Sequence, residues 1–297
     1  MRVPLFLNPI AGRGRAAARL PEIVAALAAS GVQADVREST SRGDMEDQIC
    51  RAAEDGEQCV IVAGGDGSMH EAANGLMHAE RETALGLIPV GTGNDFARAA
   101  GIPEDSNLAA VELGQRIAGG ETLRSIDIGR CNGRFFSNGV GVGIDAKVAS
   151  IAAGIRLPIG DLVYIIGVIR CLWDGIATPR MTVTVDGEQA WSGPTTLTNV
   201  SNGAWVGGQF HIAPEADLGD GQLNVVVAAA VSRARVVALL PKLMKGRHLA
   251  APELTHVTGR HIVVHCDEPI IAHLDGELQA PTRTFDIQLQ ESALVLL

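Results

Sequence analysis

Cysteine pairs, long apolar runs and an excess of positive charge are all missing from this sequence. Its five cysteines are scattered, and the absence of any Cys-x-x-Cys pair supports neither a zinc ribbon nor a disulfide framework and favours a reducing compartment. Arg, Asp, Pro or Gly interrupts every apolar stretch before the roughly 18 residues of a membrane-spanning helix, and the apolar core of the first nine residues is too short for a signal peptide. The net charge of −10 argues against a nucleic-acid partner. We therefore expect a cytoplasmic protein.

The first part of the chain alternates strand and helix patterns. With 46% hydrophobic and 20% charged residues, the composition is globular, and 297 residues suffice for one large domain or two smaller ones. Strand-like runs at 3–7, 32–38, 58–62 and 85–89 alternate with helical patterns at 16–29, 44–54 and 69–77. This series predicts an α/β domain over residues 1–124 with a doubly wound parallel sheet.

Residues 125–297 have a different pattern, made mostly of short β runs. Examples are the runs at 181–185, 222–228, 261–265 and 284–289. The dipeptides Asn132-Gly133 and Asp186-Gly187 are of the kind preferred in two-residue hairpin turns. We expect a mainly antiparallel β-sandwich domain here, with one or two helices inserted.

Two glycine-rich turns follow predicted strands of the first domain. Gly64-Gly65-Asp66-Gly67-Ser68 comes after the strand at 58–62 and leads into a helix, and Gly91-Thr92-Gly93-Asn94-Asp95 comes after the strand at 85–89. Glycines let backbone N–H groups approach an oxyanion, and a helix N-terminus adds its dipole. Asp66 would repel a phosphate unless a cation lay between them. The pattern therefore indicates a nucleotide-phosphate site with Mg²⁺.

Several motifs together resemble the diacylglycerol kinase catalytic-domain family, which includes bacterial soluble lipid kinases, sphingosine kinases and ceramide kinases. In the first domain they are Asn8-Pro9-Ile10-Ala11-Gly12 with Gly14, the run from Gly64 to Glu71, and the run from Pro89 to Arg98. Later motifs in family order are Gly141-Val142-Gly143-Ile144-Asp145-Ala146, Asn202-Gly203, Ala213-Pro214-Glu215-Ala216 with Asp220-Gly221, and Asp275-Gly276-Glu277. NAD kinases and phosphofructokinases also use a Gly-Gly-Asp-Gly turn, whereas the ordered combination is specific.

The resemblance implies ATP as the phosphate donor and indicates which residues bind it. Asn8 and Thr40 follow strand ends on the ligand-binding edge of an open sheet, where they would border the nucleoside. Thr92 would bond a phosphate oxygen. The nucleotide-binding residues that we expect are Asn8, Gly12, Gly14, Thr40, Gly64, Gly65, Gly67, Ser68, Glu71 and Thr92.

Three acids are the catalytic candidates that the resemblance implies. Asp66 would hold Mg²⁺ directly or through water, and Asp95 would assist the metal or orient the acceptor hydroxyl. Glu277 would be the general base, with Asp275 as a second candidate for binding metal-bound water or orienting the base. From the residues alone, Asp275-Gly276 is also a hairpin signal, which would make Glu277 a solvated turn residue. Asp95 can also act as a helix cap.

The resemblance further implies a structural Mg²⁺ site in the segment 217–222. Asp220 would supply a carboxylate, and Asp217 and Gln222 would supply backbone carbonyl oxygens, which suit a hard octahedral cation. Gly219 precedes Asp220 and makes this loop less rigid. An ordinary turn explains the same segment almost as well.

Together these features predict an ATP- and Mg²⁺-dependent lipid kinase of phospholipid biosynthesis, with its site between the two domains. Its partner would be a lipid at a membrane surface, with peripheral membrane association. Diacylglycerol, ceramide, a sphingoid base, phosphatidylglycerol and polyprenol stay open as acceptors, and a homodimer stays open too. The alternatives are a kinase of a small soluble alcohol such as NAD, and a catalytically inactive nucleotide or lipid sensor. The segment 232–247 carries five cations in helical apolar spacing, which suits either an interfacial helix or a helix packed on the β domain.

Overall fold

The computed structural model describes residues 1–120, 124–155, 160 and 162–297, and the chain forms two compact units. Unit 1 comprises Met1–Asp127 together with Glu291–Leu297, and unit 2 comprises Ile128–Gln290. The C-terminal residues thus belong to the same unit as the N-terminus.

Unit 1 is an α/β layer structure. Its elements are β1 (Arg2–Leu7), a 3-10 helix (Ala11–Arg13), α1 (Arg15–Ala29), β2 (Gln33–Glu38), α2 (Asp44–Glu54), β3 (Cys59–Gly64), α3 (Asp66–His78), β4 (Ala84–Pro89), α4 (Asp95–Ala99) and α5 (Ser106–Gly119). These four strands form a parallel sheet in the order β4-β3-β1-β2. The predicted parallel α/β architecture is confirmed.

The central strands of unit 1 are buried along their whole length because helices cover both faces of the sheet. β3 and β4 are buried at every residue, as expected when both faces of a parallel sheet are covered. α1 packs with α5 and α2 packs with α3. Leu5 and Ile61 of the sheet share one core with Leu27 of α1 and Leu113 of α5. α5 starts at Asp105, whose side chain accepts hydrogen bonds from two backbone N–H groups of its first turn.

Unit 2 consists mainly of antiparallel strands. The remaining elements of the chain are β5 (Arg124–Cys131), β6 (Arg134–Phe136), β7 (Gly139–Gly143), α6 (Ile144–Gly154), α7 (Leu162–Asp174), β8 (Arg180–Val185), β9 (Glu188–Ser201), β10 (Leu223–Ala229), α8 (Arg233–Met244), β11 (Leu254–Gly259), β12 (His261–Ile270), β13 (Ala272–Leu274), β14 (Glu277–Leu278) and β15 (Thr282–Leu296). β5 and β15 each run from one unit into the other, and the end of β15 pairs in parallel with β4 at Leu296 and Leu85.

The long strand β9 joins the two sheets of unit 2. Its first half pairs with β8, which continues through β12 to β15, and its second half lies between β7 and β10. All these pairings are antiparallel. One apolar core contains Val140, Val225, Val264 and Phe285 from both sets of strands. This arrangement confirms the predicted β-sandwich-like class.

Both predicted hairpin turns are present. Asn132 and Gly133 connect β5 to β6 with φ of 48° and 93°, and Asp186 and Gly187 connect β8 to β9 with φ of 49° and 90°. Two successive positive φ angles are typical of a type I′ turn, whose twist matches that of the flanking strands.

The helices of unit 2 are more numerous than the sequence analysis predicted. The described residues contain three, α6, α7 and α8, rather than one or two. α6 begins directly after β7 and is rich in alanine, so its sequence lacks a clear separation of polar and apolar faces. Within the described residues, every helix is too short or too polar to cross a membrane.

Candidate functional site

The two glycine turns of unit 1 lie side by side at the carboxyl edge of the sheet. The first glycine turn (64–68) follows β3 and opens α3, and the second (91–95) follows β4 and opens α4. β3 and β4 are neighbours with Gly64 opposite Pro89, and the N–H of Val90 donates to the carbonyl oxygen of Gly64 at 2.9 Å. Crevices at this edge of an open α/β sheet are where ligands bind.

The main chains of the two turns touch at Gly65 and Gly91. A Cβ atom built on Gly65 would lie 2.8 Å from the Cα of Gly91, and one built on Gly91 would lie 2.4 Å from the Cα of Gly65. Neither position therefore has room for a side chain. The two turns therefore meet through their main chains at these two glycines.

Side chains connect the same two turns. The Asp66 carboxylate accepts a hydrogen bond from the Phe96 N–H through Oδ1, at 3.2 Å. Asn94, with a left-handed φ of 53°, accepts from the Gly91 N–H at 3.0 Å. Asp95 is buried at the start of α4, and Ser68 is buried in the first turn of α3. The structure thus brings Asp66 and Asp95 to one pair of turns.

A third turn, formed by residues 11–14, lies against the second glycine turn. Gly12 has a φ of +58°, and a Cβ there would lie 2.2 Å from the Val90 carbonyl oxygen. Arg15 bridges the turns, because its Nη2 donates to the Gly91 carbonyl oxygen at 2.7 Å and its Nε donates to that of Gly12 at 3.1 Å. The sequence analysis missed Arg15. Its position directly after the glycines was the signal available.

Asn8 and Thr40, the residues expected to border the nucleoside, lie on the loops after β1 and β2. The Asn8 side chain accepts from the Ile10 N–H at 3.1 Å. Thr40 donates to Asp44 from both its N–H and its hydroxyl, at 2.7 and 2.8 Å, and these bonds hold the pKa of Asp44 below its ordinary value. β1 and β2 are parallel neighbours, so Asn8 and Thr40 lie at the same edge of the sheet.

Glu71 has a local structural contact. Its two carboxylate oxygens accept from the N–H groups of Gly43 and Met45, at 3.0 and 3.2 Å. An acid at the N-terminus of a helix is favourable, because it binds N–H groups that have no intrahelical partner. In this structure Glu71 therefore holds the start of α2.

In unit 2, the Asp275-Gly276-Glu277 motif forms a tight hairpin between β13 and β14. Asp275 and Gly276 have φ of 50° and 87°, and Glu277 is the first residue of β14. The Asp275 carboxylate accepts from the N–H groups of Ser137, Asn138 and Gly139, at 2.9, 2.8 and 2.9 Å. These bonds make Asp275 a positioning residue that ties the hairpin to the segment before β7.

A largely buried contact between a histidine and an aspartate lies beneath this hairpin. His273 Nε2 is 3.2 Å from Asp145 Oδ2, a contact that lacks the alignment of a hydrogen bond. The Asn199 amide donates to the same Asp145 oxygen at 3.3 Å. On the opposite side of the ring, the Gly276 N–H donates to His273 Nδ1 at 3.1 Å. His273 therefore connects α6 to the turn that carries Glu277.

The charges of this pair follow from burial and from its contacts. Burial raises the pKa of Asp145, but His273 and Asn199 lower it, and the net shift is downward. Because Nδ1 of His273 accepts the Gly276 N–H, it carries no proton. The ring is therefore neutral, with its proton on Nε2 facing the Asp145 carboxylate.

An apolar cavity of about 120 Å³ lies inside unit 2. Its walls come from α6, α7, α8, β9 and β10, with Val148, Val168, Val226, Leu240 and Leu243 among the lining side chains. Asp145, Thr196 and His248 are the polar residues in this lining. The His248 ring bonds the Ile212 carbonyl oxygen through Nε2 at 3.0 Å, and burial lowers its pKa. Its Nδ1 is buried without a partner among the described residues.

The predicted structural metal segment forms two consecutive turns. Asp217 accepts from the Gly219 N–H, and Asp220 accepts from the Gln222 N–H, both at 3.0 Å. Among the residues that the structure describes, no three His, Cys, Asp or Glu side chains are grouped as metal ligands. The oxygen donors available in this loop, carboxylates and backbone carbonyls, nevertheless match the preference of Mg²⁺.

Family models match both parts of the chain. One described as "Diacylglycerol kinase catalytic domain" matches residues 2–131, and one described as "YegS C-terminal NAD kinase beta sandwich-like domain" matches residues 138–296. A "Diacylglycerol kinase" of Mycobacterium tuberculosis is 32% identical over 288 residues, which cover 94% of this chain and 90% of that protein. A "Probable lipid kinase YegS-like" of Xanthomonas oryzae pv. oryzae is 33% identical, covering 92% and 88%.

Solved structures share the fold along the whole chain. A diacylglycerol kinase from Bacillus anthracis str. Sterne matches with a TM-score of 0.77 and 27% identity, covering 99% of this chain and 96% of that one. An NAD kinase from Archaeoglobus fulgidus, solved in complex with ATP, matches with a TM-score of 0.57 and 14% identity, covering 100% and 93%. The second similarity is one of fold alone.

Proposed function

The chain belongs to the diacylglycerol kinase catalytic-domain family of lipid kinases, and we propose that it transfers the γ-phosphoryl group of ATP, with Mg²⁺, to a lipid hydroxyl. It is a kinase that acts on a lipid. The observation that carries the finer proposal is the main-chain contact between Gly65 and Gly91, which brings the two glycine turns together at the carboxyl edge of the sheet.

The phosphate groups of ATP would bind to unit 1. The first backbone N–H groups of α3 have no intrahelical partner, and the helix dipole favours an anion at that end. Gly67 and Ser68 lie in this first turn, with Thr92 in the neighbouring one. The Arg15 guanidinium adds a fixed positive charge beside Gly12 and Gly91.

The acids of unit 1 fit a hard cation. Asp66 lies at the start of α3 between the turns, and carboxylate oxygens are preferred Mg²⁺ ligands. Bound Mg²⁺ neutralises charge on the phosphate oxygens during transfer. We assign Asp66 to holding the cation and Asp95 to assisting it or orienting the acceptor hydroxyl. The 217–222 loop would hold a second, structural Mg²⁺.

Glu277 would take the proton of the lipid hydroxyl. As that proton moves to the Glu277 carboxylate, the hydroxyl oxygen forms a bond to the γ-phosphorus. The bond between the γ-phosphorus and the bridging oxygen breaks, and its electron pair leaves with ADP. Asp275 and His273 support this step by fixing the hairpin that carries Glu277.

The apolar cavity of unit 2 favours a lipid acceptor over a small polar alcohol such as NAD. Its aliphatic lining would hold part of an acyl or sphingoid chain. The unpartnered Nδ1 of His248 would accept a hydrogen bond from a hydroxyl or amide group of that lipid. Diacylglycerol, ceramide and a sphingoid base all present such chemistry.

ATP consumption with and without lipid tests this proposal. The purified protein, with Mg²⁺, is given mixed micelles of detergent with diacylglycerol, ceramide or a sphingoid base, and in parallel detergent alone or NAD. Lipid-stimulated release of ADP with a phosphorylated lipid product is expected. Phosphorylation of NAD but of no lipid would reject the proposal. So would binding of ATP without turnover, both on these micelles and on micelles of a total lipid extract.

A further inference from the structure

One face of α7 exposes four large apolar side chains. Leu162, Ile166, Ile169 and Trp173 keep 51%, 39%, 60% and 83% of their surface accessible. Their spacing of four, three and four residues places them on one side of a helix. Exposed apolar patches of this kind, in a row rather than scattered singly, mark interaction surfaces.

The opposite face of α7 is used for packing. Val163, Val168 and Cys171 are buried there, and a Cβ on Gly167 would lie 3.1 Å from the Val148 carbonyl oxygen of α6. α7 is therefore well packed on one side, while Leu162, Ile166, Ile169 and Trp173 stay exposed on the other. The acid of this helix, Asp174, is paired with Arg170 at 3.3 Å.

Exposed cations lie on the neighbouring helix α8 and directly after it. Arg233, Lys242, Lys245 and Arg247 are all exposed, in a chain whose net charge is −10. Leu240 and Leu243 of α8 pack against an apolar cluster that contains Val168 and Cys171 of α7. The Arg233 guanidinium also approaches Gly175, just beyond Trp173.

One side of α8 lines the apolar cavity, and the other side is exposed. Val236, Leu239, Leu240 and Leu243 line the apolar cavity. Val237 and Met244 are exposed. Arg235 is not part of the exposed cation group, because it forms two bonds to Glu253 at 2.7 and 3.0 Å. Of the five cations in segment 232–247, Arg235 is therefore tied to the fold, and the other four are exposed.

From these contacts we propose that the exposed face of α7, with the exposed cations of α8, docks on an anionic lipid bilayer. The proposal rests on the lipid kinase function. Trp173 and the aliphatic residues would enter the interfacial region, where an aromatic ring beside aliphatic side chains is favourable, while the cations meet anionic headgroups. Val168 of α7 and the apolar side of α8 line the cavity, so the docking helices would also be the ones that border the lipid-binding space.

Tryptophan fluorescence tests the depth of docking directly. The chain has three tryptophans, and a Trp191→Phe/Trp205→Phe variant keeps Trp173 as its sole one. Without nucleotide, vesicles of phosphatidylcholine with phosphatidylglycerol should shift its emission to the blue, and lipids with brominated acyl chains should quench it. Vesicles of phosphatidylcholine alone should act much less, and salt should weaken the effect. Unchanged emission and no quenching would overturn the proposal.

Vesicle sedimentation gives a second readout that leaves Trp191 and Trp205 intact. An Ile169→Gln/Trp173→Gln variant should bind anionic vesicles about tenfold more weakly or worse, because each buried CH₂ contributes roughly 0.8 kcal/mol to membrane binding. The matched control is Leu108→Gln, which replaces an apolar residue of α5 that is 49% exposed. Equal binding of wild type and the Ile169→Gln/Trp173→Gln variant would overturn the proposal. So would wild-type self-association that this variant abolishes, since the face would then belong to a second copy.

The failure of docking and the failure of the kinase function are separable. Vesicle binding without nucleotide reports docking alone. Turnover of ATP by wild type on a short-chain, detergent-dispersed diacylglycerol reports the chemistry alone. Normal turnover with no vesicle binding rejects only the docking surface.

Discussion

The candidate sites of the two units are built from different materials. In unit 1 the two glycine turns meet through their main chains, because Gly65 and Gly91 approach too closely for any side chain. In unit 2 the corresponding features are side chains. Asp275 binds three backbone N–H groups, His273 contacts Asp145, and aliphatic residues line a cavity.

This difference decides how each site tolerates change. A backbone site depends on the absence of Cβ atoms, so any larger residue moves the main chain. A side-chain site depends on matched partners, so the removal of one partner leaves the other buried and unpaired. Substitutions can therefore separate the two kinds of construction.

The largest effect is expected at Glu277. Glu277→Gln removes the proton acceptor and leaves the glycine turns of unit 1 intact, so kcat should fall by about 10²–10⁴ while ATP affinity is retained. Steady-state kinetics and nucleotide titration measure the two quantities. Glu268→Gln, at an exposed position of β12, is the matched control and should behave as wild type. Near-normal kcat in Glu277→Gln would remove Glu277 from the mechanism.

His273→Ala tests the side-chain construction of unit 2. It leaves the largely buried Asp145 carboxylate without its ring partner, which should lower the free energy of unfolding by about 1–3 kcal/mol. Chemical denaturation measures this change. The exposed His265→Ala is the control, expected within about 0.5 kcal/mol of wild type. Equal free energies of unfolding for the two variants would show that the contact between His273 and Asp145 contributes little to stability.

The same pair predicts how stability depends on pH. The folded pKa of Asp145 is lowered, so its contribution is present above the ordinary Asp pKa of about 3.9 and is lost as pH falls through the lowered folded value. His273→Ala should therefore lose less stability than wild type on acidification below about pH 4. If the free energies of unfolding of wild type and His273→Ala fell equally with pH, the contact with His273 would not be what lowers the pKa of Asp145.

Gly91→Ala tests the backbone construction of unit 1. The new Cβ would lie 2.4 Å from the Gly65 Cα, and the forced main-chain shift should cost about 1–3 kcal/mol in stability or in ATP binding. Thermal unfolding and nucleotide titration detect it. The control is Gly154→Ala in α6, where a Cβ meets no atom within 4 Å. Unchanged ATP affinity and melting temperature in Gly91→Ala would show that the contact is dispensable.

The smallest effect is expected at the proposed structural Mg²⁺ loop. A cation that binds only the folded state stabilises it by mass action, so Mg²⁺ without nucleotide should raise the melting temperature of wild type more than that of Asp220→Ala. Glu215→Ala, an exposed acid just before the same loop, serves as the control and should respond like wild type. Equal Mg²⁺ shifts in all three proteins would reject the loop as a metal site.

Features that depend on local backbone geometry were predictable from the sequence. The strand and helix alternation of unit 1, the β runs of unit 2 and the hairpins at Asn132-Gly133 and Asp186-Gly187 all match the structure. The glycine turns at 64–68 and 91–95 could also be predicted from the sequence. Glycine is favoured wherever the main chain must closely approach another main chain or a ligand. These signals lie within a few neighbouring residues.

Only the tertiary structure decided the contacts between residues far apart in the chain. It placed Arg15 between two turns, Asp145 against His273, and three N–H groups on Asp275. It also returned Glu291–Leu297 to unit 1 and left one face of α7 exposed once α6 had covered the other. No local pattern encodes these outcomes, because each depends on which distant surfaces pack together and on the water they exclude.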